Sequence, residues 1–238
     1  MSGGAIREYL LFSQIPHARR EQVLGILAGI TGNQPTAFTQ QVVIYAQLTA
    51  PDTAASKKTK PTVAQPLSYH KLVRDYDVQN DSAVNIQPWA FRAEAVPEPG
   101  LTAHISRSVM EHSATEVDLA RLKSPAYKLK RQYLQSGYFF VNNNVVIRVL
   151  RLHGSLQSDL TEDPTDLPPP TPSHHKLIDA SGSWMIEAYV KVGDPANASL
   201  CEQAVKELAA FRSTTEGSLD FIVPNRFSLD TRVKNAAG

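Results

Sequence analysis

The sequence predicts a mainly β, α+β fold: a multistranded antiparallel β-barrel with helices packed outside it. Three observations carry this. Segments in which apolar and polar residues alternate with a period of two recur along the chain, about eight or nine in number, where sheets tend to close on themselves. Helical spacing of apolar residues occurs in two places, one near each end. No internal repeat of fixed period runs through the 238 residues, which excludes solenoids and propellers.

The elements follow in chain order. Tyr9 to Phe12 form a short apolar strand. Pro16 opens a helix whose inner face carries Val23, Leu27 and Ile30, joined by Leu24, and which stops at Gly32 and Asn33. In residues 41–48, Val42, Ile44, Ala46 and Leu48 alternate with Val43, Tyr45 and Gln47, a strand with one buried face. Three more strands are expected over residues 67–78, 89–95 and 101–110, and Trp89, Phe91, Ala93 and Ala95 share one side of the middle one. Residues 127–141 and 144–156 then make a long hairpin turning at Asn142 and Asn143, with a bulge at Gly137. Residues 183–192 place Ile186, Ala188, Val190 and Val192 on one face and Glu187, Tyr189 and Lys191 on the other. Ser199 caps a second helix, read from Leu200, Ala204, Leu208 and Phe211, which ends near Gly217 and leads into a short strand over residues 219–223.

Two stretches break the pattern. Residues 50–66 hold three prolines and the basic group Lys57, Lys58 and Lys60; residues 158–175 hold five prolines with Asp159, Glu162, Asp163 and Asp166. Such compositions supply neither ladder donors nor a buried face. Both are expected to be flexible inserts in one β-barrel domain spanning residues 1–238, since a long hairpin loop adds little closure entropy. In the C-terminal stretch, Phe227 and Leu229 tie the beginning to the body and the tip frays.

Composition narrows the function. Hydrophobic residues make up 42% and charged residues 20%, enough for a sizeable core, and the formal net charge of +1 provides no global field toward nucleic acid or an anionic membrane. The lone Cys201 excludes an internal disulfide framework and a zinc site built on several thiolates. No basic run followed by an apolar segment opens the chain, and no apolar stretch is long enough for a membrane helix, so an intracellular, reducing compartment is expected.

The search for chemistry returns no catalytic, cofactor-binding or metal-binding residues. Gly25, Gly29 and Gly32 lie in a helical context without a phosphate-cradling motif. Among the seven histidines, no pair stands four apart with an intervening acid; His174 and His175 lie in the acidic insert, and His153 reads as a strand-end residue. Ser181, Gly182 and Ser183 precede a strand, unlike a nucleophile elbow. Cys201 lies in the first turn of a helix with no partner base nearby in sequence and reads as packed. Lys128, Lys130 and Arg131 with Tyr127 and Tyr133 could form a nucleic-acid-binding face, but alternation sets both lysines opposite the aromatics, so a solvated face over a buried one accounts for them.

The hairpin Tyr133-Leu134-Gln135-Ser136-Gly137-Tyr138-Phe139-Phe140-Val141 with Asn144-Val145-Val146-Ile147-Arg148-Val149-Leu150-Arg151-Leu152 resembles the central signature of subunit 18 of the Mediator complex. The strand Glu8-Tyr9-Leu10-Leu11-Phe12, the helix through Val23 and Leu27, and Trp89-Ala90-Phe91-Arg92 leading to Pro97-Glu98-Pro99-Gly100 stand in the order of fungal members. The resemblance implies a nuclear, non-enzymatic subunit of the Mediator head module that acts in RNA polymerase II transcription, pairs with subunit 20 and receives a C-terminal helix of subunit 8. It implies no cofactor, no membrane and no sequence-specific nucleic acid, and it leaves the partner-binding residues unknown. The implied barrel is also similar to the triphosphate tunnel enzymes, which supplies an alternative, a metal-dependent triphosphate hydrolase; a nucleic-acid-binding barrel is a third. Tunnel enzymes carry a Glu-x-Glu-x-Lys strand near their start, where this chain has Arg7-Glu8-Tyr9-Leu10-Leu11-Phe12. Glu187, Lys191 and Arg148 read as scattered charges, too few for a ring of carboxylates.

Overall fold

The structure is a computed structural model describing residues 5–48, 67–75, 87–155, 163, 165 and 175–233. Its strands are β1 (Ala5–Ile15), β2 (Thr36–Gln47), β3 (Tyr69–Asp75), β4 (Ala90–Glu94), β5 (Ile105–Ser113), β6 (Tyr127–Asn142), β7 (Val145–Ser155), β8 (His175–Leu177) and β9 (Trp184–Val192). Three α-helices interrupt them: α1 (Arg20–Thr31), α2 (Glu116–Leu122) and α3 (Ala198–Thr215). The sheet runs β6-β2-β3-β4-β5-β1-β9-β7, and β7 pairs back onto β6, so eight antiparallel strands close a barrel. β8 extends the sheet on β7 just beyond the reach of β9. Closure removes the exposed ladder edges an open sheet would present.

Both faces of the wall are occupied, and the apolar one points outward. On β9, Trp184, Ile186, Ala188, Val190 and Val192 pack against α1 and α3, whereas Met185, Glu187, Tyr189 and Lys191 line the lumen. α1 contributes Val23, Leu24 and Leu27 and α3 contributes Ala204, Leu208 and Phe211 to this outer core; each large side chain so buried stabilises the fold by about 1.5–3 kcal/mol. A second outer core joins Val43, Tyr45, Leu72, Trp89 and Phe91 of the β2-β3-β4 wall to Leu122 of α2. β2 is therefore buried on two sides, not one. Val43 and Tyr45 face α2, and Val42 and Ile44 face the lumen.

α2 escapes apolar-periodicity arguments because it has only seven residues. Its signal is polar. The Thr115 hydroxyl accepts from the Asp118 backbone N–H at 3.2 Å, and Asp118 Oδ2 accepts from the Thr115 N–H at 3.0 Å, a reciprocal capping box. Burial acts upward on Asp118, but the Thr115 backbone and hydroxyl together with His112 hold its pKa at about 2. Thr115→Ala is expected to lower stability by about 1 kcal/mol in urea unfolding, and Thr115→Asp to restore most of it.

Other boundaries also moved. β1 runs well past the expected four residues at both ends, because its backbone is sandwiched between β5 and β9. Asn197 caps α3, not Ser199: its side chain accepts from the Leu200 N–H at 3.3 Å, and Leu200 itself is exposed. The hairpin turns at Asn143 and Asn144, one residue later than expected, with Asn143 at φ 52°, which asparagine tolerates. The strand expected over residues 219–223 is a single bridge between Ile222 and Phe12, because Leu219 and Phe221 are drawn into the outer core. Phe227 is exposed and does not anchor the tail. Leu229, half-buried against the lumen, does so as expected, together with backbone bonds from Tyr69 N–H to Thr231 O at 2.8 Å and from Val233 N–H to Leu67 O at 2.7 Å.

Gly137 does not form a bulge. The β6–β7 register runs unbroken through it, and a Cβ at that position would stand 2.8 Å from Leu150 Cα and closer still to the Val149 carbonyl, so the glycine marks a close approach. The bulge lies between β2 and β6 at Lys130, where the register steps from Ile44↔Arg131 to Tyr45↔Leu129. Residues 50–66 and most of 158–175 lie outside the described residues. In the second stretch, Asp163 accepts from the Tyr45 hydroxyl at 3.0 Å, and His175 opens β8, so that end does supply ladder pairing.

Candidate functional site

The barrel lumen encloses a cavity of about 1330 Å³. Strand parity delivers its charges. Glu8 comes from β1, Lys71 from β3, Arg92 and Glu94 from β4, Arg107 and Glu111 from β5, Arg148 from β7, and Glu187 and Lys191 from β9. Register then sets opposite charges directly across from each other: Glu8 faces Arg107 on one neighbour and Lys191 on the other, Arg92 faces Glu111, and Glu187 faces Arg148. A slip of one residue would turn all of them onto the helix-packed outer face, so the pairing and the apolar pattern enforce the same register.

The charges are not two or three scattered ones, since four glutamates and eight basic residues, Lys130 and Arg131 among them, line the lumen. In β4 and β9 charged residues two or four apart stand opposite an apolar parity, Arg92-x-Glu94 against Phe91 and Ala93 and Glu187-x-x-x-Lys191 against Ile186, Ala188 and Val190. That signal was readable in both strands. The juxtaposition of β1, β4, β5 and β9 was not, because it depends on β1 pairing with β5 about 100 positions away and with β9 more than about 165 positions away.

Every one of these carboxylates is neutralised. Glu8 accepts from Arg92 Nη2 at 2.8 Å and Arg107 Nε at 2.8 Å. Glu94 accepts from Lys71 Nζ at 2.9 Å, Arg92 Nε at 2.7 Å and Arg107 Nη1 at 3.0 Å. Glu111 accepts from Arg92 and from Lys191 Nζ at 2.9 Å, and Glu187 stands 3.6 Å from Arg148. Burial alone would raise the Glu94 pKa; Lys71, Arg107 and Arg92 hold it well below the usual carboxylate range. Glu111 is lowered by Lys191 and Arg92 against the same burial penalty. For Arg92 the desolvation that would lower its pKa is outweighed by Glu8 and Glu94.

Arg148 is held separately. Its Nη2 donates to Gln40 Oε1 at 2.6 Å and Gln135 Oε1 at 2.9 Å, and its guanidinium lies 4.4 Å from the centre of the Phe38 ring. Tyr133 and Tyr189 complete the lining, each with its phenol pKa pushed up by burial. Chemically, carboxylates as acidic as Glu94 and Glu111 are poor bases, and the oxygens of Glu8, Glu94 and Glu111 are occupied by guanidinium and ammonium donors. A divalent cation would have to displace those donors. Among the described residues, no three His, Cys, Asp or Glu side chains are grouped to hold one.

The remaining sequence candidates are dispersed. Cys201 is half-buried, with its Sγ 3.7 Å from the Pro195 carbonyl and its side chain next to Tyr9, whose pKa burial and this contact raise to about 12. His153 Nε2 shares a hydrogen bond with Ser136 Oγ at 2.8 Å. Ser181 and Ser183 lie in a turn closed on Asp179, and His174, Lys57, Lys58 and Lys60 lie outside the described residues. The basic strand is split by the bulge. Tyr127 packs in the outer core, while Tyr133, Lys130 and Arg131 line the lumen, so Tyr127 and Tyr133 do not share a buried face as alternation alone implied.

The family described as Med18 protein matches residues 7–232. The subunit 18 of the Mediator of RNA polymerase II transcription from Yarrowia lipolytica is 25% identical over 96% of this chain and 100% of its own length. The subunit of the same name from Aspergillus oryzae is 23% identical over the same shares. Among solved structures, a chain of the Schizosaccharomyces pombe Mediator head module superimposes with a TM-score of 0.67 at 17% identity, covering 92% of this chain and 98% of that one, which shows a shared fold.

Proposed function

Because this chain belongs to the Med18 protein family, we propose that it is a non-enzymatic scaffold subunit of the Mediator head module, positioning partner subunits for RNA polymerase II transcription in the nucleus. The carrying observation is the extent of the match, residues 7–232, which takes in every strand of the barrel wall and all three helices. The lumen agrees with it. Its carboxylates are engaged with cations of the chain itself, as in a polar core that fixes strand register and keeps the barrel rigid. Partner docking then falls to the outer surface, where the family resemblance points to a heterodimer with subunit 20 and a C-terminal helix of subunit 8.

Affinity recovery of the tagged full chain from nuclear extract, followed by mass spectrometry, tests the reading. Stoichiometric recovery of Mediator head subunits is expected, and their absence overturns it. The hydrolase alternative is tested by triphosphate turnover with magnesium or manganese. No turnover above background is expected, and robust turnover lost in Glu187→Gln would replace the scaffold assignment.

A further inference from the structure

In the lumen the glutamates are neutralised by cations, whereas on the outside of the barrel two guanidiniums share one aromatic ring. Trp184, the first residue of β9, lies on the outer face beside the start of α1. The Arg151 guanidinium from β7 is 4.3 Å from the centre of the Trp184 ring, and that of Arg20, the first residue of α1, is 5.5 Å away. The indole is fixed in place: its Nε1 donates to His17 Nδ1 at 3.0 Å, the His17 ring lies nearly parallel to it at 12°, and Tyr138 tilts against it at 6.2 Å. Among the described residues, Arg20 pairs with its exposed neighbour Glu21 and Arg151 makes no ion pair. The Nε atoms of both arginines are buried without a hydrogen-bond partner. Burial and the nearby Arg20 charge pull the Arg151 pKa below its ordinary value, the signature of two like charges held together by an aromatic surface. Arg20 also sits at a helix N-terminus, where a cation is disfavoured and an anion is welcome.

We propose that Arg20, Trp184 and Arg151 form a docking site for an acidic peptide segment, one carboxylate of which bridges the two guanidiniums. Charge complementarity selects this occupant. The site is a point excess of positive charge whose neighbours on β6 and β7, Ser136, Tyr138 and His153, extend no basic track, so it suits a carboxylate and not a run of nucleic-acid phosphates. Arg19 is already committed, its Nη2 donating to the Ser218 carbonyl at 3.1 Å. The inference extends the scaffold reading by naming the chemistry of one partner segment, but rests on the guanidinium pair, so peptide binding and recovery of Mediator subunits can fail independently.

The test is fluorescence anisotropy of a fluorescein-labelled, glutamate-rich decapeptide titrated with the full chain. Saturable binding is expected, weakened about ten-fold in both Arg151→Gln and Arg20→Gln and unchanged in Lys128→Gln. Without peptide, neither arginine variant should melt earlier than the wild type, because each relieves a repulsion. No saturable binding, equal affinity in the variants, or preference for a single-stranded DNA decamer over the peptide overturns the proposal. A lowered melting temperature with unchanged peptide affinity does so too, by assigning the pair to packing. Arg20→Gln keeps the test decisive if Arg151→Gln fails to fold.

Discussion

Arg92→Ala lowers the unfolding free energy by about 3–5 kcal/mol, read by urea titration at pH 7. Arg92 contacts Glu8, Glu94 and Glu111, two of which are almost wholly buried, and its removal leaves them with fewer counterions in a confined lumen. Lys191→Ala serves as the contrast. Lys191 pairs with Glu111 near the solvent, both side chains about a third exposed, and its loss costs about 1 kcal/mol or less. The deficit of Arg92→Ala depends on pH in a defined sense. Glu94 is depressed in the folded state, so its contribution is fully present above the unfolded carboxylate pKa of about 4.3 and drains away as the pH falls below it. The gap between wild type and Arg92→Ala therefore narrows below about pH 4. A gap constant from pH 7 to pH 3 would assign the loss to packing and not to charge.

Gly137→Ala is expected to destabilise by roughly 3 kcal/mol or more, at the upper end of overpacking effects. The obstacle is backbone on the neighbouring strand, the Val149 carbonyl and Leu150 Cα, which cannot rotate away as a side chain would. Relief requires β6 and β7 to part, and that pairing closes the barrel. Low soluble yield or a markedly lowered melting temperature is the readout. Gly25→Ala is the control: it lies within α1 with nothing within 4 Å of the added carbon, and should stabilise by about 0.5–1 kcal/mol. Equal behaviour of the two variants would contradict the close approach.

The strands were legible where one parity was uniformly apolar. Ile186, Ala188, Val190 and Val192 announced β9 unambiguously, and α1 and α3 were visible in Val23 and Leu27 and in Ala204, Leu208 and Phe211. α2 was missed because seven residues present barely two turns, although Thr115 and Asp118 mark its start. The bulge at Lys130 was missed because an extra residue changes no composition; it shows only as a shift of register against β2.

Period-two patterning by itself determined most of the strands and, through their number, the closed antiparallel class, because side chains on a pleated backbone must alternate between two faces; the family resemblance came from the particular residues of the Tyr133–Leu152 hairpin. Patterning could not say which face was inside. Glu187 and Lys191 might equally have met water outside a barrel filled with Ile186 and Val190. Only the tertiary structure decided that the helices cover the apolar face and the charges turn inward, since that choice follows from where α1 and α3 pack and from pairings such as Glu8 with Arg107 across 99 positions of chain. Long-range pairing turned charges that looked scattered in the sequence into a mutually neutralised lumen, and left Arg20 and Arg151 outside it.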